Sequence, residues 1–513
     1  MLTKPMLLVL LSGLPAPAQI NILTANGGND RTNANLQEST LSPATVSAAS
    51  FGRVAAFPVD GPMYAQPLYV SGLEIPGVGT RNVLFVATMR NTIFAFDADA
   101  DASSPVTPLW QASLGQPVPS TMLFGQYGDI GGDVGILSTP AIDLDRGLMY
   151  VVSDNLVGNQ PTFTLHALDL LSGAEQFGGP VSIQGTVRGS GSGGSADGVV
   201  TFDPMQHIQR PGLLLANGAV YVSFGSHADQ SPYHGWVMSY DAADLTHQFG
   251  VLMTTPDGDG GSVWQSGRGP AADGEGNVYV VTGNGDYNGV RNFAQSFLKL
   301  SGAAPVRVGA FTPADWKSLS DNDADLAAGP ALIPGTHRLI GADKAGNLYL
   351  LDGEAMDGSG TAPAGAFQVI PASTGPIFNF ALWGRAQTSY VYTQGSSDML
   401  RCYAVTSQGL NPSPVSMASE PMRYSRIGMT LSAAGDLEGT GILWEITGNP
   451  HDTNASGTLR AYNASDLSNE LWNSDMNSDD SMGPIMKFVS PTVANGRVYV
   501  PTFANVVMVY GLR

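Results

Sequence analysis

The feature that most constrains this chain is internal repetition: a strand pattern recurs about eight times along its length. Each repeat is a short apolar strand, a small-residue turn, and a strand ending in an aromatic or aliphatic step onto Asp or Asn. The clearest second halves are Thr92-Ile-Phe-Ala-Phe-Asp97, Leu165-His-Ala-Leu-Asp169, Val237-Met-Ser-Tyr-Asp241, Leu348-Tyr-Leu-Leu-Asp352 and Leu459-Arg-Ala-Tyr-Asn463. Strands of the first kind include Val83-Leu-Phe-Val-Ala-Thr88 and Leu148-Met-Tyr-Val-Val-Ser153. With no helical pattern between them, such repeats imply a radial all-β array.

The spacing predicts an eight-bladed β-propeller of four-stranded antiparallel blades. Their spans are Gln66 to Leu114, Ser138 to Val181, Pro211 to Met253, Gly267 to Phe311, Ala328 to Ile370, Phe378 to Met417, Met429 to Asp475, and Lys487 to Tyr510. The last span shows only three strands. The segment Gly52-Arg-Val-Ala-Ala-Phe57 would supply the fourth and close the ring, leaving no open sheet edge there. Strands apolar on both faces, such as Leu148 to Val152, fit sheets packed between neighbouring blades. Long insertions fall at Pro117 to Val134, Gln184 to Gln206 and Thr312 to Asp325. The second carries Gly189-Ser-Gly-Ser-Gly-Gly-Ser195, which reads as flexible low-complexity sequence.

A net charge of −20 argues against nucleic acid, whose phosphates demand clustered Lys and Arg. The N-terminus has Lys4, an apolar run from Met6 to Leu14, and Ala16-Pro-Ala18, the layout of a secretory signal over residues 1–18. That predicts a single propeller domain over residues 19–513, soluble and secreted or periplasmic. No apolar stretch is long enough for a membrane span. The single cysteine, Cys402, cannot form an intrachain disulfide and reads as a packed thiol.

Four groups between the third and fifth blades could carry chemistry. They are Gly260-Gly-Ser-Val-Trp-Gln265, Val280-Val-Thr-Gly-Asn-Gly-Asp286, Asp321-Asn-Asp-Ala-Asp325 and Asp343-Lys-Ala-Gly346. In this order they resemble the quinoprotein alcohol dehydrogenases, secreted or periplasmic propellers that bind pyrroloquinoline quinone and Ca²⁺ on the axis. The resemblance implies that Trp264 underlies the quinone and that Asn284 ligates Ca²⁺. Asp325, or Asp323, would take the alcohol proton, and Lys344 would stabilise the quinone oxygen. Asp325 and Asp229 would complete the Ca²⁺ set, Asp229 standing in for the family's glutamate. Against the family pattern, one cysteine cannot make the vicinal disulfide, Val281 replaces the turn's first glycine, and no motif supplies the arginine that grips the cofactor carboxylates.

Over most of its length the chain is similar to secreted pyrroloquinoline-quinone-like repeat propellers. The marks are Met63-Tyr-Ala-Gln-Pro-Leu-Tyr69, Gly135-Ile-Leu-Ser-Thr-Pro-Ala141, Tyr233-His-Gly-Trp236 and Phe488-Val-Ser-Pro-Thr-Val-Ala-Asn495. The leading expectation is an oxidoreductase acting on an alcohol or sugar hydroxyl, with electrons passed to an external acceptor. The alternative is a non-catalytic propeller that binds a protein, peptide or glycan. Related scaffolds keep the repeat without a quinone, and each residue has a plain reading: Trp264 as blade packing, Asn284 and Lys344 as turn residues, Asp325 as a loop cap. A hydrolase or lyase finds no nucleophile–base pair at distinctive spacing. His227, Asp229 and His234 lie close enough in sequence to hold a transition metal, and Asp257-Gly-Asp-Gly-Gly261 reads as a surface turn.

Overall fold

The Asp or Asn that ends each repeat is a turn residue. The side-chain oxygens of Asp97, Asp169, Asp241, Asp352 and Asn463 each accept the backbone N–H two residues on, at 2.8 to 3.0 Å. This Asx turn stops the third strand of a blade and sends the chain towards the fourth. A computed structural model describes residues 19–123, 130–356, 367–422, 426, 428–452 and 454–513. These residues form eight antiparallel blades arranged as a ring. The signal-like residues 1–18, and 124–129 of the first long insertion, lie outside the described residues.

Each blade starts with its inner strand and works outward: Leu68–Ile75, Gly79–Ala87, Thr92–Asp97 and Trp110–Ser113 in blade 1, for example. The ring closes as expected, by Phe51–Pro58 pairing antiparallel with Val506–Leu512 as the outer strand of blade 8. Apolar side chains from both faces of each sheet fill the gaps between blades, and Leu148–Val157 is buried on both faces over most of its length. A tyrosine in the second strand often ties its blade to the next. Tyr150 donates to the Ala242 carbonyl, Tyr221 to Gly302, Tyr392 to Ala464 and Tyr499 to Ala98, each acceptor directly following the end of a third strand. Such bonds contribute about 1 kcal/mol each. Cys402 is buried in this packing, as expected. No helix among the described residues is long and apolar enough to cross a membrane.

Two expectations need correction. Blade 8 begins at Thr492, not Lys487, because Phe488 takes a left-handed backbone (φ 69°) that removes this stretch from the sheet. The Gly189–Ser195 stretch is not a loose linker. Gly191 and Ser192 donate their backbone N–H groups to Pro256 and Gly258, and Ser190 and Ser192 bind Asp257 and Asp259. Glycine is what permits this approach: a Cβ on Gly189 would stand 1.9 Å from the Pro256 oxygen.

The stretch after residue 19 touches every blade. Asn21–Ile22 pairs with the inner strand of blade 1, and Leu23 accepts from Ile142 of blade 2. Asn29 reaches Leu215 of blade 3 and accepts from Ala272 of blade 4. Asp30, Thr32 and Asn33 accept from Leu332, Leu382 and Leu431 of blades 5, 6 and 7. Asn35 donates to Val493 of blade 8. This segment lines the axis near the carboxyl-terminal ends of the inner strands. The fully buried Arg31 locks it with bonds to Pro270, Ala25, Leu213 and Thr24.

Candidate functional site

The opposite end of the axis is built by the loops that lead into the inner strands and by turns between second and third strands. Two glycine motifs there fit into each other. Gly261 donates its N–H to the Asn284 carbonyl at 2.6 Å, and a Cβ on Gly285 would lie 2.5 Å from Asp259 O. A Cβ on Gly283 would stand 2.6 Å from Asp325 Oδ2. The glycines of both motifs are therefore what lets Trp264 and Asp325 meet.

They meet in a chain of polar contacts. Trp264 Nε1 donates to Asp325 Oδ2 at 3.0 Å. Lys344 Nζ lies 2.6 Å from Asp325 Oδ1 and 2.6 Å from Asp323 Oδ1, and 5.3 Å from the centre of the Trp264 ring. The contact to Asp325 Oδ1 is ionic, without hydrogen-bond alignment. Asp325 is buried and Asp323 exposed, their side chains 3% and 69% accessible, so only Asp325 is a desolvated carboxylate. Burial raises the Asp325 pKa; Lys344 and the Trp264 hydrogen bond partly offset this. Burial also works against the Lys344 charge, but Asp325 and Asp323 outweigh it and hold its pKa above the usual lysine value. The Asp343 carboxylate positions Lys344 by fastening its turn, accepting from Asn347 and from the Tyr349 hydroxyl.

Above this chain lies a cavity of about 430 Å³, within the usual range for small-molecule sites. Trp264, Phe378 and Phe488 wall it, with ring centroids 5.0 to 6.3 Å apart. Four cations line it: Lys344, Arg210, Arg426 and Lys487. The Arg210 guanidinium lies 5.1 Å from the Phe488 ring centre. Beside Trp264 and Lys344, these groups come from the approaches to blades 3, 7 and 8 and from the start of the inner strand Ile377–Arg385 of blade 6. Nothing local in the sequence assigns Arg210, Arg426, Lys487 or Phe378 to a site, and the mark that Phe488 opens points to the repeat propeller and not to the cavity.

An anionic, flat cofactor such as the quinone fits this lining: aromatic walls, and four cations that outnumber the carboxylates of Asp229 and Asp323. The calcium set does not fit in the same way. Asn284 accepts from Gln295 at 2.9 Å through its carbonyl and turns its amide N–H to Asp323, also at 2.9 Å. Asp229, with a left-handed backbone, accepts from Ser226 at 2.7 Å. Asp325 faces Trp264 and the Lys344 ammonium. Asn284 and Asp325 are thus committed to protein partners, while Asp229 lines the cavity with one oxygen bound by Ser226.

The other chemistries divide clearly. His234 directs its ring nitrogens to Thr255 Oγ1 and the Ser192 carbonyl, so it does not join His227 and Asp229 around an ion. Among the described residues, the one trio of His, Cys or acidic side chains close enough to share an ion is Glu275, His337 and Glu354, all exposed and away from the cavity. Ser153, His166 and Glu175 form a serine–histidine–carboxylate chain, with Ser153 Oγ 2.8 Å from His166 Nε2 and Glu175 at Nδ1. Ser153 is completely buried and takes a bond from Asn155, so no substrate reaches it. Asp257 and Asp259 bind the glycine-rich strap and Arg291, as a surface turn does.

No family model matches the sequence, and no curated protein does. Solved structures match by shape. The quinohemoprotein alcohol dehydrogenase ADHIIG of Pseudomonas putida HK5 superposes with a TM-score of 0.61 at 14% identity, over 96% of this chain and 80% of that one. The quinohemoprotein alcohol dehydrogenase of Comamonas testosteroni gives 0.60 at 14% identity over the same shares. A europium-containing methanol dehydrogenase gives 0.50 at 13% identity, over 95% of this chain and 82% of that one. What the chain shares with these dehydrogenases is their fold, an eight-bladed β-propeller.

Proposed function

We propose that the protein is a secreted or periplasmic oxidoreductase that oxidises an alcohol or sugar hydroxyl, with pyrroloquinoline quinone in the axial cavity and an external electron acceptor. The observation that carries this reading is the Trp264–Asp325–Lys344–Asp323 chain beneath an aromatic, cation-lined cavity. The signal-like residues 1–18 support export.

When bound, the quinone supplies a two-electron acceptor for the hydrogen removed from the substrate carbon. Trp264 offers a flat apolar wall whose own N–H is already committed to Asp325. Lys344 keeps its proton and presents a positive charge where a cofactor oxygen gains negative charge. Asp325, just beneath the cavity and covered at Oδ1 by Lys344, is the base that takes the hydroxyl proton once Lys344 moves aside to open a path to it. Because burial raises its pKa, Asp325 is lost as a base sooner than an exposed aspartate when the pH falls. Turnover therefore drops on the acid side, starting above the ordinary carboxylate range.

The test is dye-linked alcohol oxidation by the purified protein with added quinone. Asp325→Asn is expected to lose about 10²- to 10⁴-fold in turnover while still quenching tryptophan fluorescence on quinone addition. A wild-type protein that turns over no alcohol or sugar at saturating quinone sinks the reading. The propeller would then be sought as a binder of protein, peptide or glycan.

A further inference from the structure

A propeller that held its quinone through a divalent ion would offer oxygen ligands converging on one point. This one offers an ammonium instead. Lys344 Nζ sits 2.6 Å from both Asp323 and Asp325, so these two carboxylates face each other across a protein cation. Of the other oxygens expected around calcium, Asn284 Oδ1 is turned to Gln295, and Asp229, which lines the cavity, accepts from Ser226. Around the same cavity stand Arg210, Arg426 and Lys487, contributed by three separate loops of a chain whose net charge is −20. The same lining holds Asp229 and Asp323, so the four cations leave an excess of two positive charges in a chain that is strongly acidic as a whole.

We propose that the cavity takes a flat, polyanionic aromatic ligand without a divalent cation, the Lys344 ammonium held between Asp323 and Asp325 supplying the positive charge that a metal would otherwise bring. The ligand's carboxylates are met by Arg210, Arg426 and Lys487, and its ring by Trp264, Phe378 and Phe488. The choice of ligand rests on the reading of the cavity as a quinone site. Lys344 carries one charge where calcium carries two, so part of the neutralisation passes to the rim. Guanidinium groups suit that task, because their planar forks match carboxylates.

The experiment titrates the full chain with pyrroloquinoline quinone and follows tryptophan fluorescence, once in EDTA and once in excess Ca²⁺, with turnover assayed in parallel. Saturable quenching with the same Kd in both buffers is the expected result. Lys344→Gln is expected to weaken binding in EDTA by about 10- to 100-fold and to recover part of the loss in Ca²⁺, since it frees two carboxylates to face the ion. If Lys344→Gln does not fold, Arg426→Gln, at the half-buried rim, tests the charge complement separately: about 10-fold weaker binding, equally in both buffers. Quenching seen only with Ca²⁺ overturns the inference and leaves the oxidoreductase reading standing. Metal-independent quenching without turnover does the reverse. Absence of quenching in both buffers overturns both.

Discussion

Glu445 lies in the second strand of blade 7, fully buried, with neither carboxyl oxygen hydrogen-bonded. Burial pushes its pKa from 4.5 to about 8, with Arg460 offsetting part of the shift and Glu470 adding to it. The folded chain therefore keeps a proton that the unfolded chain releases. Stability from this group is intact below pH 4.5 and is lost as the pH rises towards 8. Glu445→Gln, which carries no charge in either state, should change the thermal midpoint little at pH 4.5. At pH 8 it should stabilise by a few kcal/mol. An equal shift at the two pH values would show that Glu445 ionises in the folded protein as it does in water. Residues of this kind are invisible in sequence, because nothing local marks a glutamate that ends between two sheets. The same holds for the cavity. Trp264, Asp325 and Lys344 stand out because the segments that carry them, in their order, resemble those of the quinoprotein alcohol dehydrogenases. Arg210, Arg426 and Phe488 converge only through the ring, and Arg210 and Lys487 are 277 positions apart.

Strands were legible because their stops are chemical. An Asx turn needs Asp or Asn at one place, and the third strands end there. The marks such as Met63 to Tyr69 prove to be joints between blades: Gln66 accepts from Asn26, and its N–H donates to Thr139. The glycine-rich insertion misled because small residues signal two opposite things, a loose linker or a backbone pressed against another backbone. Gly189 to Ser195 is the second case, held by the Pro256 to Asp259 turn. Gly189→Ala should therefore cost about 1–3 kcal/mol through overpacking. It should also open residues 189–198 to limited proteolysis. Unchanged stability and cleavage would mean that the strap does not depend on this close approach.

At the scale of the molecule, a ring of blades is only as cooperative as its hub. Arg31 makes four hydrogen bonds to Pro270, Ala25, Leu213 and Thr24 with no exposed surface. Arg31→Met leaves backbone carbonyls without their donor and should cost at least about 3 kcal/mol. The urea midpoint would fall, and a midpoint equal to wild type would show that the hub contributes nothing to the ring. The hub also fixes a timetable. Asn35 bonds to the carbonyl of Val493, 458 positions later. At ordinary rates of synthesis these two partners emerge from the ribosome roughly 20 to 90 seconds apart. For that interval the earliest segment has no finished ring to line, so the hub is the first part of the propeller to be made and the last to be seated.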